Sequence, residues 1–334
     1  MRAIGYAKSL TSDQEKSLED ITIPEPVAGP RDLLVRVAAV SVNPVDVKVR
    51  MRAEPEQGHT VLGFDAVGVV EAVGSDVTLF GVGDEVFYAG DITRPGSNAE
   101  LQAVDERIVG RKPSSLSVAE AAALPLTGIT AWEILFESFR LKEGEGAGKV
   151  LLIIGAAGGV GSMLMQLTKA VTGLTVVATA SRPETTDWCR KLGADHIIDH
   201  SKALKPQLEA LGLTVDYVAA LTASDQHLPA IVDLIRPRGQ IAMIDDPVGL
   251  DFTIMKKKAL SLHWELMFTR SMFGTDDMIE QHKLLNRIAD LVDGGRLQTT
   301  MTSVIGKMDA ANMRLAHAAQ ESGRTIGKTV LTTA

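Results

Sequence analysis

Residues Lys149 to Thr168 read KVLLIIGAAGGVGSMLMQLT, and this stretch decides the fold. Its first part, Lys149 to Ile154, is a continuous aliphatic run without alternation, which is typical of a strand buried on both faces of a parallel sheet. Glycines follow this run, and a helix-length segment comes after them. Such a turn binds a dinucleotide because glycines let the backbone approach the pyrophosphate and the helix N-terminus presents unpaired N–H groups to its charge.

The glycine spacing is GxxGGxG and not the GxGxxG fingerprint, so an ordinary glycine-rich turn remains an alternative. The flanking sequence favours the dinucleotide. Gly173 ends the predicted helix, and Leu174 to Thr179 (LTVVAT) reads as a second buried strand, which completes a βαβ unit of about 30 residues. The turn residues predicted to bind the cofactor are Gly155, Ala157, Gly158, Gly159, Val160 and Gly161.

The residues after the second strand indicate which cofactor is bound. An NAD-binding unit normally has Asp or Glu there to bind the ribose 2′-hydroxyl, whereas this chain has Ala180-Ser181-Arg182. A hydroxyl beside a guanidinium suits a 2′-phosphate, which arginine binds by charge-assisted hydrogen bonds. We therefore predict NADP(H), with Ser181 and Arg182 as ligands. The alternative for Arg182 is a solvated charge near a helix start.

Length and composition set limits on the function. The 334 residues suffice for two domains, and the 45% hydrophobic content is globular. No apolar run approaches the ~18 residues of a membrane span, and the N-terminus does not read as a signal peptide. The net charge of −8 argues against nucleic acid as a partner. The single cysteine, Cys189, excludes an internal disulfide framework, so a cytoplasmic location is the expectation.

The chain before about residue 123 reads as short strands separated by turns. Leu33 to Val40, Gly68 to Val73 and Glu85 to Tyr88 are strand candidates, which together favour a compact β-barrel-like domain. Ser117 and Glu120 form a predicted capping box at a helix start. The segment from Thr127 to Phe136 is predicted to continue as an amphipathic helix linking two domains.

From Lys149 the pattern alternates between strands and helices, which predicts a doubly wound parallel sheet. Leu260 to Phe268 (LSLHWELMF) is a further strand candidate, Thr275 to Val292 a long helix, and the segment beginning at Lys328 a last strand. The predicted elements between these are helices at 183–192, about 203–211 and 226–235, and strands at 197–198, 215–220 and 240–244.

These features together resemble the medium-chain dehydrogenase/reductase superfamily. The resemblance rests on the β-rich N-terminal segment, the AAGGVGS turn at 156–162, the Leu-Gly-Ala-Asp run at 192–195 and the terminal Gly-Lys strand at 327–328. Within the superfamily the chain looks most like the quinone oxidoreductase branch, and Ser261 to Phe273 resembles its zinc-type alcohol dehydrogenase-like subgroup. The resemblance implies a GroES-like β-barrel catalytic domain (1–126, completed by 269–334) and a Rossmann cofactor domain (127–268), with an active site in the cleft between them.

The chain lacks the residues that bind zinc in zinc alcohol dehydrogenases. Where zinc alcohol dehydrogenases have a cysteine, this chain reads Ser-Val-Asn-Pro-Val-Asp at 41–46, and Gly63-Phe64-Asp65 replaces their His-Glu pair. Four clustered cysteines for a structural zinc are absent too. Because zinc favours nitrogen and sulfur ligands, we predict no metal site.

Without a Lewis acid the chemistry must rest on the cofactor. A hydride from nicotinamide can reduce a quinone or the β-carbon of a conjugated carbonyl with modest hydrogen bonding, while an isolated ketone needs stronger polarisation. The prediction is therefore an NADPH-dependent reductase of quinones or α,β-unsaturated carbonyls. Two alternatives remain: a protein that holds NADPH as a redox sensor or structural protein with little turnover, and a zinc alcohol dehydrogenase.

The resemblance implies three catalytic residues. Asn43 matches the active-site asparagine of quinone oxidoreductases, where it would orient the substrate carbonyl or the nicotinamide ribose; otherwise it is a turn residue before Pro44. Lys48 stands where this branch often has tyrosine, so it would polarise an oxygen or donate a proton unless it is a surface lysine. Thr130 matches a helix threonine near the nicotinamide, with a bond to its own backbone as the alternative.

Five further residues complete the predicted cofactor site. Leu221, Thr222 and Ile244 follow Rossmann strands at the edge where ligands bind. His200 would stack on adenine or touch the 2′-phosphate, with a surface or satisfied histidine as the alternative. Lys328 would reach the cofactor, with a solvated lysine as the alternative. A homodimer through the apolar segment LSLHWELMF is also expected, because relatives commonly pair through this edge strand.

Overall fold

A computed structural model describes residues 1–333 of the chain. The chain divides into two compact units. One unit contains Met1–Ile129 and Phe268–Ala334, and the other contains Thr130–Met267. The first unit is therefore built from both ends of the chain.

The N-terminal part of the first unit consists of short strands with few helices, as its turn-rich sequence predicts. The capping box is confirmed, since the Ser117 hydroxyl accepts from the Glu120 N–H and the Glu120 carboxylate accepts from the Ser117 N–H. The elements are β1 (Arg2–Tyr6), β2 (Glu19–Thr22), β3 (Asp32–Ser41), α1 (Pro44–Arg52), β4 (Thr60–Val61), β5 (Ala66–Val73), β6 (Glu85–Tyr88), β7 (Leu101–Asp105), β8 (Val109–Arg111), α2 (Val118–Ala122) and α3 (Pro125–Glu133).

Helix α1 is a helix of this region that the sequence did not predict. Asn43 is its N-cap and Pro44 its first residue, a position where the fixed φ of proline suits a helix. The Asp46 carboxylate accepts from the Asn43 N–H at 2.8 Å. Asn43 is therefore the residue at which a helix begins.

The second unit alternates strands and helices, which confirms the predicted Rossmann-type fold. Helix α3 ends at Glu133, and a π-helical turn over Ile134–Ser138 continues it in this unit. The elements that follow are β9 (Val150–Ile154), α4 (Gly159–Val171), β10 (Thr175–Thr179), α5 (Pro183–Lys191), β11 (His196–Ile198), α6 (Leu204–Ala210), β12 (Val215–Ala220), α7 (Ser224–Leu234), β13 (Ile235–Met243) and β14 (Ser261–Trp264).

These strands form one parallel sheet in the order β11-β10-β9-β12-β13-β14. Strand β9 is central, and all five of its residues are buried, as its unbroken aliphatic run predicts. Strand β14 lies at one edge of the sheet and ends at Trp264, four residues before the predicted end at Phe268. The Trp264 side chain is 59% exposed.

The C-terminal segment returns to the first unit. Its elements are α8 (Thr269–Phe273), α9 (Ile279–Asp293), β15 (Met301–Lys307), α10 (Ala310–Glu321) and β16 (Lys328–Thr332), of which α8, β15 and α10 were not predicted. Strand β16 joins the sheet β15-β16-β3-β5-β6-β8 and pairs antiparallel with β3, with Val330 opposite Ser41. This pairing brings Lys328 to the end of β3 and the start of α1. Within residues 1–333, the helices are too short or too polar to span a bilayer.

Candidate functional site

The glycine turn between β9 and α4 has the geometry of a phosphate-binding turn. Gly155 adopts a φ of +81°, which favours glycine. A Cβ on Gly161 would lie 2.4 Å from the carbonyl oxygen of Ala156, so no larger residue fits there. Because α4 begins at Gly159, the first N–H groups of the helix lack intrahelical partners and are directed along its axis. The turn therefore fits a pyrophosphate. The flanking predicted ligands Ala157, Gly158 and Val160 lie in this turn or the first helical turn.

Residues at the carboxyl end of the parallel sheet surround this turn. The Leu221 N–H, just after β12, donates to the Ile154 carbonyl at 3.2 Å, and the Ile244 N–H donates to the Ala220 carbonyl at 3.4 Å. Thr222 is exposed, and its Cγ2 lies 2.9 Å from the position of a Cβ on Gly155. The sheet thus brings Thr222 next to the glycine turn, at the edge where Rossmann folds bind ligands.

A second polar group lies after β10 and β11. The Ser181 hydroxyl is 3.2 Å from Nε2 of His200, and both side chains are exposed. Arg182 is the N-cap of α5, and its guanidinium lies 3.4 Å from the Glu184 carboxylate. Three of the predicted nucleotide ligands are therefore neighbours on one edge.

His227 is a member of this group that the sequence did not indicate. Its ring packs edge-on against His200, with 6.4 Å between centroids. Partial burial and then the charge of His200 lower the pKa of His227, while Asp225 and Asp245 oppose the shift. Asp245 itself accepts from the Ser224 N–H at 2.9 Å, so it secures the start of α7.

In the first unit, Asn43 lies in a buried polar cluster and is 1% exposed. Its Nδ2 donates to Oδ2 of Asp65 at 2.8 Å and faces the Phe64 carbonyl at 3.5 Å. Its Oδ1 accepts from the Lys328 ammonium. These contacts define the orientation of the amide, because a carboxylate accepts and an ammonium donates.

Lys328 is 2% exposed, so the interpretation of this residue as a solvated lysine is wrong. Its ammonium donates to the Val42 carbonyl at 2.9 Å and to Asn43, and it lies 3.0 Å from Oδ2 of Asp65. An ammonium has three N–H groups, and the protein therefore uses all of them. Burial lowers the pKa of Lys328, and Asp65 opposes that shift. The predicted direct contact of Lys328 with a cofactor would require one of these bonds to be exchanged.

Asp65 is the centre of the cluster and is fully buried. Besides Asn43 and Lys328, its carboxylate accepts from the Ser41 hydroxyl at 2.8 Å and from the Leu126 N–H, at the start of α3, at 2.7 Å. Four donors thus surround this carboxylate, three at Oδ2 and one at Oδ1. One side chain thus joins β3, α1, α3 and β16.

A second buried carboxylate, Asp46, lies beside this cluster. Its Oδ1 accepts from the Gly63 N–H at 3.0 Å and its Oδ2 from the Asn43 N–H. Burial raises the pKa of Asp46 to about 7, against the opposing effects of these N–H bonds and of Lys328. Asp46 thereby secures the N-terminus of α1.

The other two predicted catalytic residues have different environments. Lys48 is half-buried on α1, about one helical turn beyond Pro44. Thr130 is buried on α3 with 5% exposure. The sequence indicated these positions through the family resemblance, but it did not indicate Asp65. An acid inside the apolar run LGFDAVGVV was the available signal, because an acid among buried residues requires hydrogen-bonding partners.

The donor set of this cluster does not fit a zinc ion. Across residues 1–333, no three His, Cys, Asp or Glu side chains converge in a way that could hold a metal. Asp65, the acid at the position of the missing His-Glu pair, already binds four donors and faces the Lys328 ammonium. A zinc ion bound to Asp65 would have to displace the Lys328 ammonium.

Comparisons with known proteins agree with both units. The family model for the alcohol dehydrogenase GroES-like domain matches residues 29–124, and the model for zinc-binding dehydrogenase matches residues 192–331. A zinc-type alcohol dehydrogenase-like protein of Staphylococcus aureus (strain COL) is 42% identical over 337 residues, which is 99% of either chain.

Two solved structures are similar over nearly the full length. A candidate zinc-dependent alcohol dehydrogenase from Rhizobium etli CFN 42 is 53% identical, with a TM-score of 0.95 over 99% of this chain and 98% of that one. The quinone oxidoreductase of Pseudomonas syringae pv. Tomato DC3000 is 27% identical, with a TM-score of 0.83 over 99% of both chains.

Proposed function

Because the chain belongs to the medium-chain dehydrogenase/reductase superfamily, in the zinc-type alcohol dehydrogenase-like subgroup of its quinone oxidoreductase branch, we propose that it is a zinc-independent NADPH-dependent reductase. It is an oxidoreductase of this superfamily. The proposed substrates are quinones or α,β-unsaturated carbonyls. The observation that carries the proposal is a dinucleotide-type glycine turn combined with a buried Lys328–Asp65 pair at the position of the zinc ligands of related dehydrogenases.

The choice of NADPH rests on the residues after β10 and β11. Ser181, Arg182 and His200 offer a hydroxyl, a guanidinium and an imidazole on one edge, where an NAD-binding unit has an acid. A 2′-phosphate adds negative charge and three acceptor oxygens to the ribose, and arginine recognises such groups by charge-assisted hydrogen bonds. The turn residues Gly155, Gly159 and Gly161 are proposed to hold the pyrophosphate.

The reaction class follows from the absence of zinc ligands among the described residues. A bound nicotinamide would supply a hydride, which a quinone or a conjugated carbonyl can accept with the charge delocalised onto its oxygen. One proton must then reach the product. We propose that Lys48 donates it or polarises the oxygen, and that Asn43 and Thr130 orient the reacting groups.

The test is cofactor oxidation by metal-analysed protein. NADPH and NADH are compared with a panel of quinones, enones, simple aldehydes and ketones. Turnover of NADPH with conjugated acceptors by protein without zinc is expected. Stoichiometric zinc with alcohol or aldehyde turnover would contradict the proposal, and tight NADPH binding without turnover would favour the redox-sensor alternative.

A matched pair of variants tests the cofactor choice. Arg182→Leu should lower the ratio of kcat/KM for NADPH to that for NADH by about tenfold to a hundredfold, the value of a hydrogen bond to a charged group. Arg190→Leu on the same helix is the control, because Arg190 pairs with Asp187 at the surface. An equal effect of both substitutions would show that Arg182 has no specific role.

We also propose a homodimer formed through the β14 edge of the parallel sheet. Trp264 and Leu266 are 59% and 52% exposed there, and Phe252 packs edge-on against Trp264. Trp264→Glu should convert a dimer to a monomer in sedimentation analysis, whereas a monomeric unaltered protein would contradict the proposal.

The buried free thiol of Cys189 supports a proposed cytoplasmic location, since such compartments keep thiols reduced.

A further inference from the structure

Ser162 is the last residue of the AAGGVGS turn at 156–162, and it is fully buried on the first turn of α4. Its hydroxyl accepts from the indole N–H of Trp188 at 2.8 Å. The same hydroxyl faces the Ala157 carbonyl, in the glycine turn, at 3.5 Å. Because an indole N–H can only donate, the Ser162 oxygen accepts from it, and the Ser162 O–H is left to donate to Ala157. The hydrogen bonds therefore run in one direction, from α5 to the glycine turn.

Trp188 lies in the middle of α5, the helix that begins directly after Ser181 and Arg182. Its side chain is half-buried, and the ammonium of the exposed Lys191 lies 5.3 Å from the ring centroid. The ring nitrogen and the ring face thus have different partners. Each contact can be removed without the other.

The proposed cofactor would contact the start of both helices. Its pyrophosphate would lie at the glycine turn before α4, and its 2′-phosphate at Ser181 and Arg182 before α5. Covalent bonds within the cofactor limit the distance between these two groups. The protein must hold the two helix starts at a matching distance, because a binding group has to be placed within about 0.5 Å. The Trp188–Ser162 bond joins the two helices and restrains that distance.

We propose that Trp188 is a positioning residue for cofactor specificity, which through Ser162 holds α5 where Arg182 reaches a 2′-phosphate. The proposal rests on the proposed function, since it presupposes that Arg182 binds this phosphate. In this role Trp188 acts through Ser162 and Arg182 and needs no contact with the cofactor. Loss of the bond should therefore weaken the binding of NADPH, whereas NADH, which has no 2′-phosphate, should bind as before.

Two single variants separate the contacts of Trp188. Trp188→Phe keeps an aromatic ring but removes the N–H group that Ser162 accepts from. Lys191→Met is the matched control, because it removes the cation beside the ring and leaves the N–H bond in place. Isothermal titration measures the Kd of NADPH and of NADH for each variant and for the unaltered protein.

Trp188→Phe should weaken NADPH binding about threefold to tenfold, the value of one neutral hydrogen bond, and leave NADH binding unchanged. Lys191→Met should leave both affinities unchanged. In protein that already carries Arg182→Leu, Trp188→Phe should have no further effect on NADPH, because the group that it positions is missing. If Trp188→Phe does not fold, Ser162→Ala removes the acceptor from the α4 side and should lower the preference for NADPH over NADH by a similar factor.

Equal weakening of NADPH and NADH by Trp188→Phe would overturn the proposal in favour of a general structural role. An undiminished effect of Trp188→Phe beside Arg182→Leu would overturn it too, because Trp188 would then act on a different part of the site. A preference for NADPH that is unchanged in Trp188→Phe would overturn the positioning role alone. An unaltered protein that binds NADH as tightly as NADPH would contradict the proposed cofactor choice itself.

Discussion

The glycine turn after β9 and the polar cluster around Asp65 are assembled from very different lengths of chain. The turn lies within Gly155 to Gly161, and its geometry is set by local backbone requirements. The cluster draws on β3, α1, α3 and β16, so that Asp65 and Lys328 meet although 263 positions separate their numbers, 328 − 65. A local site can be recognised in a sequence, whereas a site made from distant segments depends on strand pairing. The following experiments test this contrast, beginning with the largest expected effect.

Removing the cation of the distant-segment cluster should be the most damaging change. Lys328→Met leaves the Asp65 carboxylate buried without its counter-ion, which typically costs about 3–5 kcal/mol of unfolding free energy. Urea denaturation measures the loss. The control is Lys307→Met on the neighbouring strand β15, where the lysine is exposed and a change within about 0.5 kcal/mol is expected. Equal stabilities of the two variants would show that the buried pair contributes no specific stabilisation.

A second pair from distant segments should make stability depend on pH. His317 on α10 is fully buried, and burial together with the charge of Arg50 on α1 lowers its pKa to about 3. Because the unfolded chain binds a proton to this histidine near pH 6.5 and the folded protein does not, stability should decrease as pH falls below that value. The expected loss is about 2 kcal/mol between pH 6.5 and pH 5.

His317→Gln should remove this part of the pH dependence, as measured by urea denaturation at both pH values. Asp46 acts in the opposite direction: its pKa is raised, so its contribution is lost as pH rises through about 7. The difference between the unaltered protein and the variant therefore isolates His317. A variant with the full slope of the unaltered protein would contradict the assignment.

A substitution in the local turn should have a smaller effect on stability but a clear effect on cofactor binding. Gly155→Ala forces a residue with a side chain into a φ of +81°, at a cost of about 1–2 kcal/mol, and directs its Cβ at Thr222. NADPH affinity should fall about tenfold or more because the backbone at this turn must approach the pyrophosphate closely.

Gly144→Ala is the matched control for this turn. Gly144 has a φ of +83°, but a Cβ there would meet no atom within 4 Å. It should therefore lose similar stability in thermal unfolding while binding NADPH as tightly as the unaltered protein. If both variants lose NADPH binding, the loss reflects destabilisation and not the geometry of the turn.

The smallest effect is expected for the capping box, which lies within the four residues from Ser117 to Glu120. Ser117→Ala removes the hydroxyl that caps α2 and should cost about 1 kcal/mol in urea denaturation. Ser75→Ala, at an exposed serine of the same unit, should change stability by less than about 0.5 kcal/mol. A cap variant as stable as this control would mean that the helix is held by packing alone.

The accuracy of the sequence-based predictions follows the same contrast. The buried strand β9, the capping box at Ser117 and the alternation of strands and helices were predicted, because each depends on neighbours within about 20 residues. Helix α1 was missed because Asn43-Pro44 reads equally well as a turn and as a helix start.

The sequence by itself determined the two kinds of unit, the glycine turn and the Ser181-Arg182 pair after the second Rossmann strand, since backbone conformation and periodicity are local properties. Only the tertiary structure decided that Lys328 is buried and bound to Asn43 and Asp65, and that His227 packs against His200. No local pattern distinguishes a buried lysine from a solvated one. The pairing of β16 with β3 decides it, because that pairing places the ammonium beside the carboxylate that compensates its charge.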